Sequence, residues 1–289
     1  MPGAEQTASK APTATARVAV VTGAASGIGR ELALACARDG KAVVAADVDR
    51  LGLAETKRLV EELGAPCVEM RCDVSKADEV ERLADASWDR FGGVDWLFNN
   101  AAVAHLGPAW AATSDDWTWL WSVNVMGVAN GIASFVPRLL QCGASAHIVN
   151  TSSAAGLATL SGSAVYCATK HAVVALSECL LADLKAASAP IGVSVLCPAL
   201  VATNIGRSSR NRPAALERSF PVDGAYEERV RAGMAASPIT ARDVAEQAIA
   251  GVKAARFYIM PHEQTYRSVE SRMQRILSDF AAARTAEET

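Results

Sequence analysis

From Arg17 onward, short runs of apolar and β-branched residues alternate with longer segments in which apolar positions recur at helical spacing. VAVV at 18 to 21 is followed by a helical pattern over 27 to 39, then AVVAA at 42 to 46, a helical pattern over 50 to 63, and a strand around Val68. The alternation continues with a helix over 76 to 91, WLF at 96 to 98, a helix over 115 to 141, HIVN at 147 to 150, a helix over 164 to 187 and VSVLC at 193 to 197. Strand, helix, strand implies parallel pairing, and strands apolar along their whole length are those covered by helices on both faces. Helix starts are predicted where a hydroxyl is followed three residues later by a carboxylate: Ser75 with Asp78, Thr113 with Asp116, and Thr240 with Asp243. Residues 199 to 238 lose this periodicity, carry Pro213, Pro221 and Pro238, and read as a lid or substrate loop. A helix over 241 to 254, a FYIM strand at 257 to 260 and a polar helix near 263 to 282 close the chain. The expected organisation is a leader over 1 to 16, one α/β domain over 17 to 262, and a C-terminal helix and tail over 263 to 289.

Composition narrows the partners. A chain of 289 residues that is 51% hydrophobic builds a large core, and a formal charge of -3 offers no basic field for nucleic acid. No apolar stretch approaches the roughly 18 to 20 residues of a membrane span, and the leader MPGAEQTASKAPTATA has neither an apolar core nor an Arg-rich pattern. Neither nucleic acid nor membrane is an expected partner. The seven cysteines are odd in number and lack a C-x-x-C pair, so they read as buried thiols of a reducing, cytoplasmic compartment. Four scattered histidines give no ligand spacing for a metal, and none is expected.

The first strand runs into T22-G-A-A-S-G-I-G29. Gly23, Gly27 and Gly29 let the backbone approach a pyrophosphate, and the following helix N-terminus offers it N–H groups and a positive dipole end. The same turn also suits close packing alone. Asp47 closes the second strand where a carboxylate meets the adenosine ribose, accepting from its hydroxyls and repelling a 2′-phosphate, which favours NAD over NADP. Asp47 or Asp49 is equally suited to cap the next helix, and Arg50 stands nearby.

These motifs, with CDV at 72 to 74, NNAA at 99 to 102, Asn124, Ser153 and Y166-C-A-T-K170, resemble the short-chain dehydrogenase/reductase family in identity and order, over roughly residues 17 to 205. The resemblance implies a single Rossmann-like, doubly wound, seven-stranded parallel sheet, with FYIM as its last strand. It implies a dinucleotide held by Gly23, Ser26, Gly27, Ile28, Gly29 and Asp47, by Asp73 and Val74 at the adenine, by Asn100 and Ala101 along the backbone, and by Pro198 and Thr203 at the carboxamide. Two methyl groups depart from the family pattern, at Ala102 after NNA and at Ala199 after Pro198. The family's helix pairing implies a homodimer or homotetramer.

Tyr166 and Lys170 are four apart on a helix, so their side chains are adjacent. A neighbouring ammonium favours the phenolate of a residue that is otherwise a poor base near neutrality. By resemblance Tyr166 exchanges the substrate proton, Ser153 holds the substrate oxygen, and Asn124 helps hold a water leading to Lys170. Ser152 is the alternative serine, and Asn124 also fits a packing or kink role. The expected activity is NAD(H)-dependent interconversion of a secondary alcohol and a ketone. The alternatives are an NADP-dependent carbonyl reductase, a catalytically silent dinucleotide sensor, and an epimerase on a related fold. Specificity is expected in 199 to 238 and 103 to 112, with Arg207, Arg210 and Arg212 as solvated side chains. Trp110, Trp117, Trp119 and Trp121 read as core packing or a subunit contact.

Overall fold

The computed structural model describes residues 17–216 and 224–287; the predicted leader, Pro221 and the last two residues of the tail lie outside the described residues. Seven parallel strands form one sheet in the order β3-β2-β1-β4-β5-β6-β7: β1 Val18–Thr22, β2 Ala42–Asp47, β3 Cys67–Arg71, β4 Trp96–Asn99, β5 Ala146–Thr151, β6 Ile191–Leu196 and β7 Tyr258–Ile259. Between them run α1 Gly27–Arg38, α2 Arg50–Glu62, α3 Ala77–Phe91, α4 Ser114–Trp121, α5 Gly127–Cys142, α6 Ala164–Ala186, α7 Gly224–Ala235, α8 Ala241–Lys253 and α9 Thr265–Glu287.

The continuous apolar strands are explained by their period of two. Ala19, Val21, Val43, Ala45 and Phe98 face α1, α2 and α8 on one side, while Val18, Val20, Ala42, Val44 and Leu97 face α3, α5 and α6 on the other. The chain winds outward from β1 to β3 and returns to β4, so the crevice between β1 and β4 opens at the carboxyl ends of the strands. The glycine turn, Asn100, Ser153 and Pro198 all follow strands at that edge.

The capping boxes of α4 (Thr113 with Asp116) and α8 (Thr240 with Asp243) form as predicted. That of α3 does not. Its N-cap is Lys76, and the Ser75 hydroxyl instead donates to Asp73 Oδ1 at 2.7 Å. The single helix predicted over 115 to 141 is interrupted by a π-helical turn, Ser122–Met126, centred on Asn124. Among the described residues of 199 to 238 there are two helical elements, a 3₁₀ segment Asn204–Asn211 and α7.

Two further expectations are corrected. Ser114–Cys142 and Ala164–Ala186 are long and apolar enough to pass as membrane spans, with mean hydropathies of 1.2 and 1.3. Their apolarity serves the sheet, on which Phe135, Leu139, Val173 and Leu184 are buried. Cys142 and Cys179 are exposed, since they fall on the outward faces of α5 and α6, whereas the other five cysteines are buried. Of the four tryptophans between 110 and 121 only Trp119 is buried, Trp110, Trp117 and Trp121 being exposed, which leaves the subunit-contact reading for those three.

Candidate active site

One cavity of about 640 Å³ runs along the carboxyl edge of the sheet, and the candidate residues Gly23, Ser26, Gly27, Ile28, Gly29, Asp47, Asp73, Val74, Asn100, Ala101, Ser153, Tyr166, Lys170, Pro198 and Thr203 all line it. Asn124 is not among them and sits one layer behind.

The glycine turn is shaped for close approach. Gly23 and Gly27 have φ of +68° and +56°, which a side chain rarely adopts. A Cβ on Gly29 would lie 2.0 Å from the Gly23 carbonyl oxygen, and one on Gly23 would lie 2.8 Å from Ala101 Cα. At the N-cap of α1 the Ser26 side chain makes no capping hydrogen bond, so the first-turn N–H groups have no side-chain acceptor there. A backbone cradle without side chains, at a helix N-terminus, suits the pyrophosphate of a dinucleotide.

Asp47 and Asp49 divide the two roles left open by the sequence. Asp49 caps α2, its Oδ1 accepting from Gly52 N at 3.1 Å. Asp47 faces the cavity, with Oδ2 accepting from Ala25 N and Oδ1 from Asp49 N, each at 3.0 Å. Burial raises its pKa while those N–H groups pull it down. Arg50 is exposed and does not line the cavity. Asp73 Oδ1 accepts from the Ser75 N–H and hydroxyl, which braces the turn after β3.

The residues after β4 are held by Thr22, a position sequence reasoning did not single out. Its hydroxyl donates to the Phe98 carbonyl and accepts from Asn100 N at 2.9 Å and Ala101 N at 3.1 Å. The only positive-φ residues other than glycine among those described are Ser188 and Ala255, so the methyl groups of Ala102 and Ala199 stand on ordinary backbone. Asn124 clamps the next segment: its Oδ1 accepts from Val103 N at 2.8 Å, and its amide donates to Val103 O at 2.9 Å and Thr169 Oγ1 at 3.1 Å. Both amide hydrogens are used, and the extra residue of the π turn lets the helix present this side chain there.

Tyr166 and Lys170 stand on α6, with Lys170 Nζ 5.7 Å from the Tyr166 ring centre. Lys170 is 1% exposed, and its Nζ donates to the Thr151 carbonyl at 2.9 Å. Burial pushes the Tyr166 hydroxyl up to about 12, against a hydrogen bond with Ser153, and pushes the Lys170 ammonium down to about 8. In the protein alone desolvation therefore outweighs the attraction expected from the ammonium. The two serines point apart, as alternation requires. Ser152 Oγ donates to the Lys170 carbonyl at 2.8 Å, while Ser153 Oγ meets Tyr166 and the Pro198 carbonyl, the latter at 3.2 Å.

The loop after β6 is anchored by His262, which the sequence did not single out, and by Arg212. His262, 1% exposed, accepts from Ala199 N through Nδ1, with Nε2 facing Leu200 O, both at 3.2 Å. Arg212 corrects the expectation of solvated arginines: its side chain is 7% exposed and pairs with Asp116 Oδ1 at 2.6 Å. Arg207 and Arg210 remain exposed. Thr203 lies over the glycine turn, since a Cβ on Gly27 would fall 3.1 Å from the Thr203 Cβ and Cγ2 atoms.

Comparisons with known proteins agree with this architecture. The family described as short chain dehydrogenase matches residues 17–214. A CLA biosynthesis dehydrogenase/reductase of Lactiplantibacillus plantarum is 29% identical over 272 residues, which are 92% of this chain and 94% of that protein. A 1-deoxy-11-beta-hydroxypentalenate dehydrogenase of Streptomyces exfoliatus is 40% identical over 65% of this chain and 68% of its own length. Among solved structures, a short chain dehydrogenase/reductase from Burkholderia phymatum in complex with NAD is 40% identical, with a TM-score of 0.89 over 91% of this chain and 95% of that one. With the family match spanning well over half of the sequence and the sheet order, glycine cradle and Tyr166–Lys170 pair in place, the chain is an oxidoreductase of the short-chain dehydrogenase family, whose fold binds a nicotinamide dinucleotide.

Proposed function

We propose that the protein interconverts a secondary alcohol and a ketone with NAD(H), with Ser153, Tyr166 and Lys170 as catalytic residues. The observation that carries this reading is the convergence of those three side chains on the same cavity as the glycine cradle and Asp47. The cofactor's nicotinamide supplies the hydride acceptor for alcohol oxidation and the hydride donor for ketone reduction. Gly23, Ser26, Gly27, Ile28 and Gly29 hold the pyrophosphate, Asp47 the adenosine ribose, Asp73 and Val74 the adenine, and Asn100, Ala101, Pro198 and Thr203 the remaining length. The Asp47 carboxylate repels a 2′-phosphate, and the exposed Arg50 does not line the cavity.

In oxidation the alcohol carbon loses hydride while its O–H proton passes to the Tyr166 oxygen; in reduction Tyr166 returns that proton to the carbonyl oxygen. Ser153 is already hydrogen-bonded to Tyr166 and can hold the same substrate oxygen. Lys170 steadies the phenolate, its own position fixed by Thr151 O. Asn124 acts as a positioning residue that fixes Val103, its remaining oxygen lone pair being available to a water on the way to Lys170. A homodimer or homotetramer fits the exposed Trp117 and Trp121 on α4, which one chain leaves uncovered.

A screen of secondary alcohols and ketones with NAD(H) and NADP(H), followed by absorbance of the reduced cofactor, tests the reading. Turnover with NAD(H) and stronger thermal stabilisation by NAD than by NADP support it. Stabilisation by neither dinucleotide contradicts it.

A further inference from the structure

We infer that the substrate is an uncharged ketone or secondary alcohol with a large apolar body, seated between Leu160, Leu200, Ile205 and Met234. This inference rests on the reading of the cavity as an alcohol–ketone site. At the Tyr166 end the wall comes from three parts of the chain: Leu160 before α6, Leu200 and Ile205 after β6, and Met234 on α7. Leu160 and Leu200 are 53% and 43% exposed, an arrangement that favours an apolar ligand covering them. Helix α7 lies close on this wall, where a Cβ on Gly233 would come within 3.0 Å of Leu200 Cδ1.

Charge points the same way. The carboxylates lining the cavity, Asp47, Asp49 and Asp73, all lie at or just after the ends of β2 and β3, at the far end from Tyr166. Of the lining cations, Lys170 donates to Thr151 O, and the exposed Arg210 donates through Nη1 to the carbonyls of Asn204 at 3.1 Å and Arg207 at 3.0 Å. Apart from Lys170 at the reacting end, a charged substrate body would lose its hydration here without a buried lining partner of opposite sign among the described residues. Of the polar side chains that line the cavity here, Asn211, Gln264 and Ser268 are exposed at the rim, while the hydroxyls of Ser163, Ser208 and Thr265 are buried, that of Ser208 donating to the Ile205 carbonyl.

The test uses a homologous series of straight-chain 2-ketones, a cyclic ketone and a 2-keto acid, each with the full-length protein and NADH. kcat/KM should rise roughly three- to fourfold per added methylene until the wall is covered, and the keto acid should be at least about tenfold poorer than the neutral ketone of equal length. Leu160→Ser should reduce the gain per methylene. Equal or better turnover of the keto acid, or a rate independent of chain length, would overturn the inference while leaving the proposed reaction intact. Failure of every ketone and alcohol with both dinucleotides would overturn the reaction itself, and this inference with it.

Discussion

The guanidinium of Arg212, in the loop after β6, lies 2.6 Å from the carboxylate of Asp116 on α4, and both side chains are buried. The pair joins two segments 96 residues apart, and the Arg212 guanidinium also lies over Trp119, 5.2 Å from its ring centre. His105 Nδ1 stands 3.5 Å from the same carboxylate. Both candidate specificity loops are therefore fastened to one acid. Burial works against that charged carboxylate, but the Thr113 N–H and Arg212 hold its pKa below the ordinary value.

Removing one partner of a buried pair leaves the other uncompensated. Arg212→Ala is expected to lower the unfolding free energy by about 3 kcal/mol, read by denaturant titration. Because the folded pKa of Asp116 is depressed, the pair stabilises above the unfolded value of 3.8 and is lost as pH falls through the folded value. Asp116→Asn should lack that acid-dependent loss; an unchanged acid profile would show that the pair contributes nothing.

Asp47→Asn tests cofactor choice. The amide oxygen can still accept from Ala25 or Asp49, but the negative charge beside the ribose is gone. The ratio of kcat/KM for NAD over NADP should fall by roughly ten- to a hundredfold, the effect of losing a charge-assisted hydrogen bond and a repulsion. A ratio that does not move would assign the preference elsewhere.

The strands, their parallel order and most helix positions were legible because a two-sided sheet writes continuous apolar runs, and the glycine turn was legible because only glycine fits it. The π turn was not, since inserting one residue in a helix changes geometry without altering apolar spacing enough to see. Ser75 failed as a cap because Asp73, two residues earlier, competed for its hydroxyl. Arg212 was read as solvated and His262 was passed over for a different reason: their partners are 96 and 63 residues away, and nothing local in sequence marks an arginine that folds inward. All candidate site residues except Asn124 line one cavity; Asn124 reaches it through Val103.

The pH dependence should differ between directions. Ketone reduction needs a protonated Tyr166, pushed up to about 12, and a charged Lys170, pushed down to about 8. Its kcat should be level near neutrality and decline as pH rises through the Lys170 value. Alcohol oxidation needs the Tyr166 proton acceptor and should rise with pH over the neutral range. Lys170→Met should lower turnover at least about a hundredfold and abolish the alkaline decline; a decline that persists in this variant would place it on another group.

The central claim is that Tyr166 transfers the substrate proton beside a dinucleotide held by other residues. The most direct measurement compares Tyr166→Phe with the unmodified protein, reading NAD affinity by thermal stabilisation and turnover on the best ketone by absorbance. NAD affinity nearly unchanged, with turnover down at least about a hundredfold, is the predicted result. Turnover retained in the phenylalanine variant would contradict it.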